Sequence, residues 1–162
     1  MDEIFQKLID SNFSDLTGLT VDASIPVPER VANEVLESTL RGNKNIRECH
    51  VSIHDRNKVS VNLKTPLWLW SINLKLQLEG AVDFTESPKF RVWLENHVLL
   101  GKLGSLFNAL PPGVSIHSNQ VVVDIPSFLE TPEQRKMLAL VKSVLVRTEP
   151  GKVIFDIKIS VE

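Results

Sequence analysis

The stretch Leu67-Trp68-Leu69-Trp70-Ser71-Ile72-Asn73-Leu74-Lys75-Leu76-Gln77-Leu78-Glu79 decides the fold. Trp68, Trp70, Ile72, Leu74, Leu76 and Leu78 fall at every second position, with Ser71, Asn73, Lys75, Gln77 and Glu79 between them. Period-two alternation puts the first set on one face of a β-strand and the second on the other. A strand this long with one unbroken apolar face belongs to an antiparallel sheet lying over a core. Leu67 and Leu69 make the start of the strand apolar on both sides.

The flanking segments extend the sheet. Upstream, Val51 and Ile53 alternate with His50, Ser52 and His54, and Val59, Val61 and Leu63 alternate with Ser60, Asn62 and Lys64. Asp55-Arg56-Asn57-Lys58 is turn chemistry between them, so the pair reads as a hairpin. Downstream, Gly80 to Phe84 continue the long strand past a bulge, and Phe90, Val92 and Leu94 give another strand. Val114–His117 and Gln120–Ile125 flank a Ser118-Asn119 turn as a second hairpin. Val153, Phe155, Ile157, Ile159 and Val161 predict a final strand facing the core. Ile154 is expected on its outer face, with Asp156, Lys158 and Ser160 exposed.

Helical periodicity interrupts this pattern at four places. Ile4, Phe5, Leu8 and Ile9 share a stripe over residues 2–10. After a short strand, Leu19 to Ile25, Pro28 and Glu29 open a helix whose apolar face is Val31, Val35, Leu36 and Leu40; it closes at Arg41-Gly42. Leu99, Leu100, Leu103, Leu106, Phe107 and Leu110 recur at helical spacing before Pro111-Pro112-Gly113. Thr131-Pro132-Glu133-Gln134 is a capping box, and Met137, Leu138, Leu140, Val141, Val144 and Leu145 extend the predicted helix to Arg147. The expected fold is α+β, a single domain over 1-162, with an N-terminal helix and break at 1-18 and a sheet-and-helix body at 19-162. Its curved antiparallel sheet has about six strands, with two longer helices packed on the concave face.

Composition bounds the function. The chain has 162 residues, 43% apolar and 23% charged, enough for a core without metal or disulfide staples. A net charge of -2 argues against general nucleic-acid binding. Arg41, Lys44, Arg47, Arg56 and Lys58 form a local basic cluster, which a solvated helix end and loop explain. The single cysteine, Cys49, suits a reducing compartment, and the acidic start Met1-Asp2-Glu3 does not resemble a secretory signal. With no run of apolar residues long enough for a transmembrane segment, a cytoplasmic location is expected.

Sites with chemistry were sought by motif. Nucleophile elbows, phosphate loops and paired zinc motifs are missing from the sequence. His50 and His54 share a strand face but stand about 13 Å apart at ~3.3 Å per residue, too far for one metal. The chain is therefore expected to be no enzyme, with no catalytic residue, metal or cofactor. The unusual feature is the apolar row Trp68, Trp70, Ile72, Leu74, Leu76 and Leu78. It reads as core, or as the wall of a groove taking an apolar ligand or lipid.

The order of elements loosely resembles the tubular lipid-binding (TULIP-like) superfamily, in particular the half-tube of small bacterial single-module relatives. The residues that carry the resemblance are Ile25-Pro26 leading into helix Pro28–Arg41, hairpin Val51–Leu63, strand Trp68–Leu78, and Val114–Pro126 before the helix from Thr131. The resemblance implies a curved sheet wrapped on a long helix with lipid in the apolar seam. It makes the expected function non-enzymatic binding of a lipid or apolar small molecule between sheet and helices. The alternative is a protein-interaction or structural module whose apolar surface meets a partner or a second copy as a homo-oligomer.

Overall fold

The computed structural model describes residues 17–41, 44, 46–66, 71–84, 87–95 and 112–161. In chain order these form β1 (Thr20–Pro28), α1 (Glu29–Leu40), β2 (Glu48–Ile53), β3 (Lys58–Lys64), β4 (Ile72–Leu78) and β5 (Lys89–Leu94). They continue as β6 (Val114–His117), β7 (Gln120–Asp124), a 3-10 turn (Ile125–Phe128), α2 (Pro132–Ala139), β8 (Val141–Glu149) and β9 (Lys152–Ser160). The fold is α+β. A six-stranded antiparallel sheet runs β2-β3-β4-β5-β7-β6, and a three-stranded sheet runs β1-β9-β8. The expected helices at 2–10 and 99–110, and Trp68 and Trp70, lie outside the described residues.

Register explains why the six-stranded sheet buries one face. Val51 pairs with Val61 and Val61 with Leu74; Leu63 pairs with Ile72; Leu76 pairs with Leu94, and Val92 with both Leu78 and Val121. Residues directly opposite share a face, so the apolar alternation of each strand adds to that of its neighbour. A one-residue slip anywhere would expose the whole set.

The two sheets are spliced at Gly80. Up to Gln77, β4 pairs with β3. Beyond it the chain switches neighbour: Val146 N–H donates to Gly80 C=O at 2.8 Å, and Val82 N–H donates to Val144 C=O at 2.9 Å. Its other side stays with the β5 strand, where Glu79 N–H reaches Arg91 C=O at 3.0 Å and Asp83 bridges Lys89. The Arg91 guanidinium clamps this hairpin, at 3.2 Å from Glu79 and 2.6 Å from Asp83.

Asn57 completes the splice. It sits in the β2–β3 turn at φ 59°, a left-handed conformation that asparagine tolerates. Its N–H donates to Thr148 Oγ1 at 2.7 Å, and its Nδ2 donates to Val146 C=O at 2.9 Å. Thr148 N–H donates to its Oδ1 at 2.9 Å, and Leu78 N–H to its C=O at 2.7 Å. One residue thus joins the tip of a hairpin to β8 and to the end of β4.

Two expectations are corrected. The helix predicted from Thr131 to Arg147 ends at Ala139, and Val141–Glu149 is β8. The capping box is present, with Thr131 and Gln134 bonding reciprocally. Beyond it Val141, Val144 and Val146 are β-branched and gain a ladder with β9, interrupted by a bulge between Val141 and Ser143, which outweighs a helical spacing that fits equally well. Ile154 lies opposite Val153 and Phe155, as alternation requires, yet is buried at 4% exposure. Val161 is buried too, while Val153, Phe155, Ile157 and Ile159 are half-buried. Both faces of β9 are therefore covered at its start. Of the two helices, α1 sends Leu36 against the core, and α2 has no buried residue.

Asn57→Ala should lower the unfolding free energy by about 2–4 kcal/mol. Two backbone groups of β8 lose their partners at ~1–3 kcal/mol each, and alanine is strained at positive φ. Asn57→Asp should lose about half as much, because a carboxylate still accepts from Thr148 N–H but cannot donate to Val146. Urea unfolding that placed Asn57→Ala within about 0.5 kcal/mol of the parent would refute the splice.

Candidate functional site

The apolar row read from the sequence divides in the structure. Ile72 (3% exposed) and Leu74 (8%) pack with Leu94 into one core cluster, flanked by Val61, Leu63, Leu76 and Val121. Leu76 and Leu78 are half-buried and pack against a second cluster, Val51, Ile53 and Val59. The described part of the expected ligand wall is thus largely filled with protein atoms.

The second cluster is also where the two sheets meet, because Val153 of β9 packs against it. On the same face as Val153, β9 carries Phe155, Ile157 and Ile159. These pair with Val27, Ile25, Ala23 and Val21 of β1 on one side, and with Thr148, Val146, Val144 and Val141 of β8 on the other. The face is apolar throughout apart from Thr148. It is closed along β8, where Val146 and Thr148 are 2% and 8% exposed. Along β1 it is open: Leu19 is 45%, Val21 41% and Ile25 47% exposed. The alternation of β1 is legible in the sequence; the exposure of its apolar face is not.

A cleft of about 610 Å³ lies elsewhere, between the second half of α1 and the start of β2. Leu40, Ile46 and Cys49 supply its apolar part, and Glu37, Arg41 and Arg47 line it with charge. Two members of the basic cluster seen in the sequence therefore flank a concavity. Glu48, on its margin, is held by Lys64 at 2.6 Å. Burial pushes the Cys49 thiol above its usual range, so it stays protonated and weakly nucleophilic at neutral pH.

Other polar groups serve the fold. His54 Nε2 lies 2.9 Å from Ser60 Oγ on the polar face. Glu95, which shares a separate surface cleft with His54 and Ser60, is taken by Lys58 at 3.0 Å. Asp156 is held below the ordinary carboxylate range by the Ser24 hydroxyl and then by Arg147. Among the described residues no group of His, Cys, Asp and Glu is placed to hold a metal ion, and no helix is long and apolar enough to cross a membrane.

No protein-family model, curated protein or solved structure matches this chain.

The Cys49 thiol provides a direct check on this geometry. Iodoacetamide at pH 8 should alkylate it more slowly in the folded protein than in the protein unfolded by urea. Equal rates in the two states would mean that burial does not shield it.

Proposed function

We propose that this chain is a non-enzymatic binder of an apolar ligand, a lipid acyl chain in class. The ligand would lie along the open side of the β1–β9–β8 face. One observation carries the reading: Val21 and Ile25 on an edge strand, with Leu19 immediately before it, stand 41–47% exposed, and their neighbours on the same face are apolar. Rows of this kind mark binding surfaces more often than scattered exposed residues do.

Dimensions support the choice. The nine residues of β1 span roughly 27 Å at ~3.3 Å per residue. One acyl chain reaches about 15 Å, half of a ~30 Å bilayer core. The resemblance to the tubular lipid-binding superfamily points the same way, with the seam between two sheets taking the place expected of a groove under two helices. The cytoplasm, a reducing compartment, accords with the single cysteine.

The position of the row on an edge strand also favours a second reading, an interaction module in which a second copy packs face to face on β1. Titration with a fluorescent fatty acid separates the two. The parent chain should bind it saturably. Val21→Thr and Ile25→Thr together should weaken binding by about tenfold, since they remove several hydrocarbon groups at ~0.8 kcal/mol each while keeping β-branched residues in the strand. A parent that binds no fatty acid, but sediments as a dimer that the same substitutions dissociate, would replace the lipid reading with self-association.

A further inference from the structure

α1 lies along the outer edge of β2 in a specific register. Ile53 N–H donates to Glu29 Oε2 at 2.7 Å. Val51 N–H donates to Asn33 Oδ1 at 2.7 Å, and Asn33 Nδ2 donates back to Val51 C=O at 2.8 Å. Four residues of helix rise ~6.0 Å and two residues of strand ~6.6 Å, so side chains spaced four apart on α1 meet every second residue of β2. The third pair in this series is Glu37 with Cys49. Instead of bonding each other, they line the cleft.

Backbone direction alternates along a strand, and Val51 and Ile53 turn their N–H groups toward α1. Cys49, two residues earlier, turns its N–H and C=O the same way, into the cleft. Among the described residues, the cleft therefore contains one unfilled rung of a strand edge. Arg41 and Arg47 flank it, both exposed and neither in an ion pair among the described residues. With Glu48 taken by Lys64, the charge left in the cleft is two guanidinium groups against the single carboxylate of Glu37. Leu40 and Ile46 give an apolar floor for a side chain.

We propose that this cleft binds the free carboxy-terminal end of an extended peptide. The peptide's last amide pairs with Cys49 as a short added strand, and its carboxylate is taken by Arg41 and Arg47. The unfilled rung asks for a donor and an acceptor at strand spacing, which a peptide bond supplies and a simple anion does not. The arginine pair asks for a carboxylate beside it. Asn33 and Glu29 fill the following rungs, so only the terminal residue or two of the peptide enters.

Amide spectra of the isotopically labelled full chain, titrated with an acetylated valine tripeptide, test the assignment. The free-acid peptide should shift the Cys49 and Arg47 backbone amides saturably, and the carboxamide form should bind about tenfold more weakly. Arg41→Gln with Arg47→Gln should lower affinity for the acid by about tenfold, leaving fatty-acid binding and the melting temperature unchanged. An unmoved Cys49 amide, or equal affinity for acid and carboxamide, would overturn the proposal. Inorganic phosphate that shifted the same amides with the affinity of the peptide would overturn it as well, leaving an anion site only. None of these outcomes touches the lipid reading, which rests on β1.

Discussion

The structure depends on the placement of one side-chain amide. Asn57 carries a donor and an acceptor at the spacing of a peptide group, and it presents them to β8 as a strand residue would. Its own backbone is bonded on both sides, to Thr148 and Leu78. The tip of the β2–β3 hairpin is thereby fixed to β8 where β4 exchanges β3 for β8 as its neighbour. Without that tie the second core cluster would lose its alignment with Val153, and each sheet would cover only part of its own apolar face.

The same chemistry recurs at the other edges. Asn33 uses its amide on Val51 as Asn57 does on Val146 and Thr148, and Glu29, which can only accept, meets a lone N–H at Ile53. β6 has four residues, a short edge, and β1 contains Pro26 and Pro28, which lack donors. Unpaired edge groups invite association with other chains, and buried ones cost about 1–3 kcal/mol each. The fold meets that demand with two asparagines, one helix and two prolines. At the start of β2, where α1 and the strand part around Cys49, the edge is left without a partner among the described residues.

Alternation made the six-stranded sheet legible, because polar and apolar residues trade places along Val51–Ile53, Val59–Lys64, Ser71–Glu79, Lys89–Val92 and Val114–His117. The turn at Asp55–Lys58 and the capping box at Thr131 were legible for the same reason: local chemistry determines both. β8 was not. Val141, Val144 and Leu145 satisfy a helical period, while Val144, Val146 and Thr148 satisfy a strand period, and only pairing with β9 decides between them. The roles of Asn33 and Asn57 were out of reach, since their partners lie 18 and 89 to 91 residues away. The arginines were read as a solvated helix end. Nothing in their spacing reveals that α1 runs in step with β2 and leaves a cleft between Arg41 and Arg47.

The contrast between edges and faces bears on function. A chain that ties β2 and β8 through side-chain amides still leaves Leu19, Val21 and Ile25 more than two-fifths exposed. Fully burying such a side chain contributes about 1.5–3 kcal/mol, and the neighbouring strands of the same face obtain that burial through Val146 and part of it through Val153. A single exposed aliphatic group is ordinary in a folded protein. Here Val21 and Ile25 stand in register with Ile159 and Phe155, beside half-buried Ala23 and Val27, and Leu19 immediately precedes the strand. Stability alone would favour a polar residue at each of the three positions, since alternation would then give β1 a solvated face. The apolar row is therefore a surface that packing among the described residues leaves uncovered.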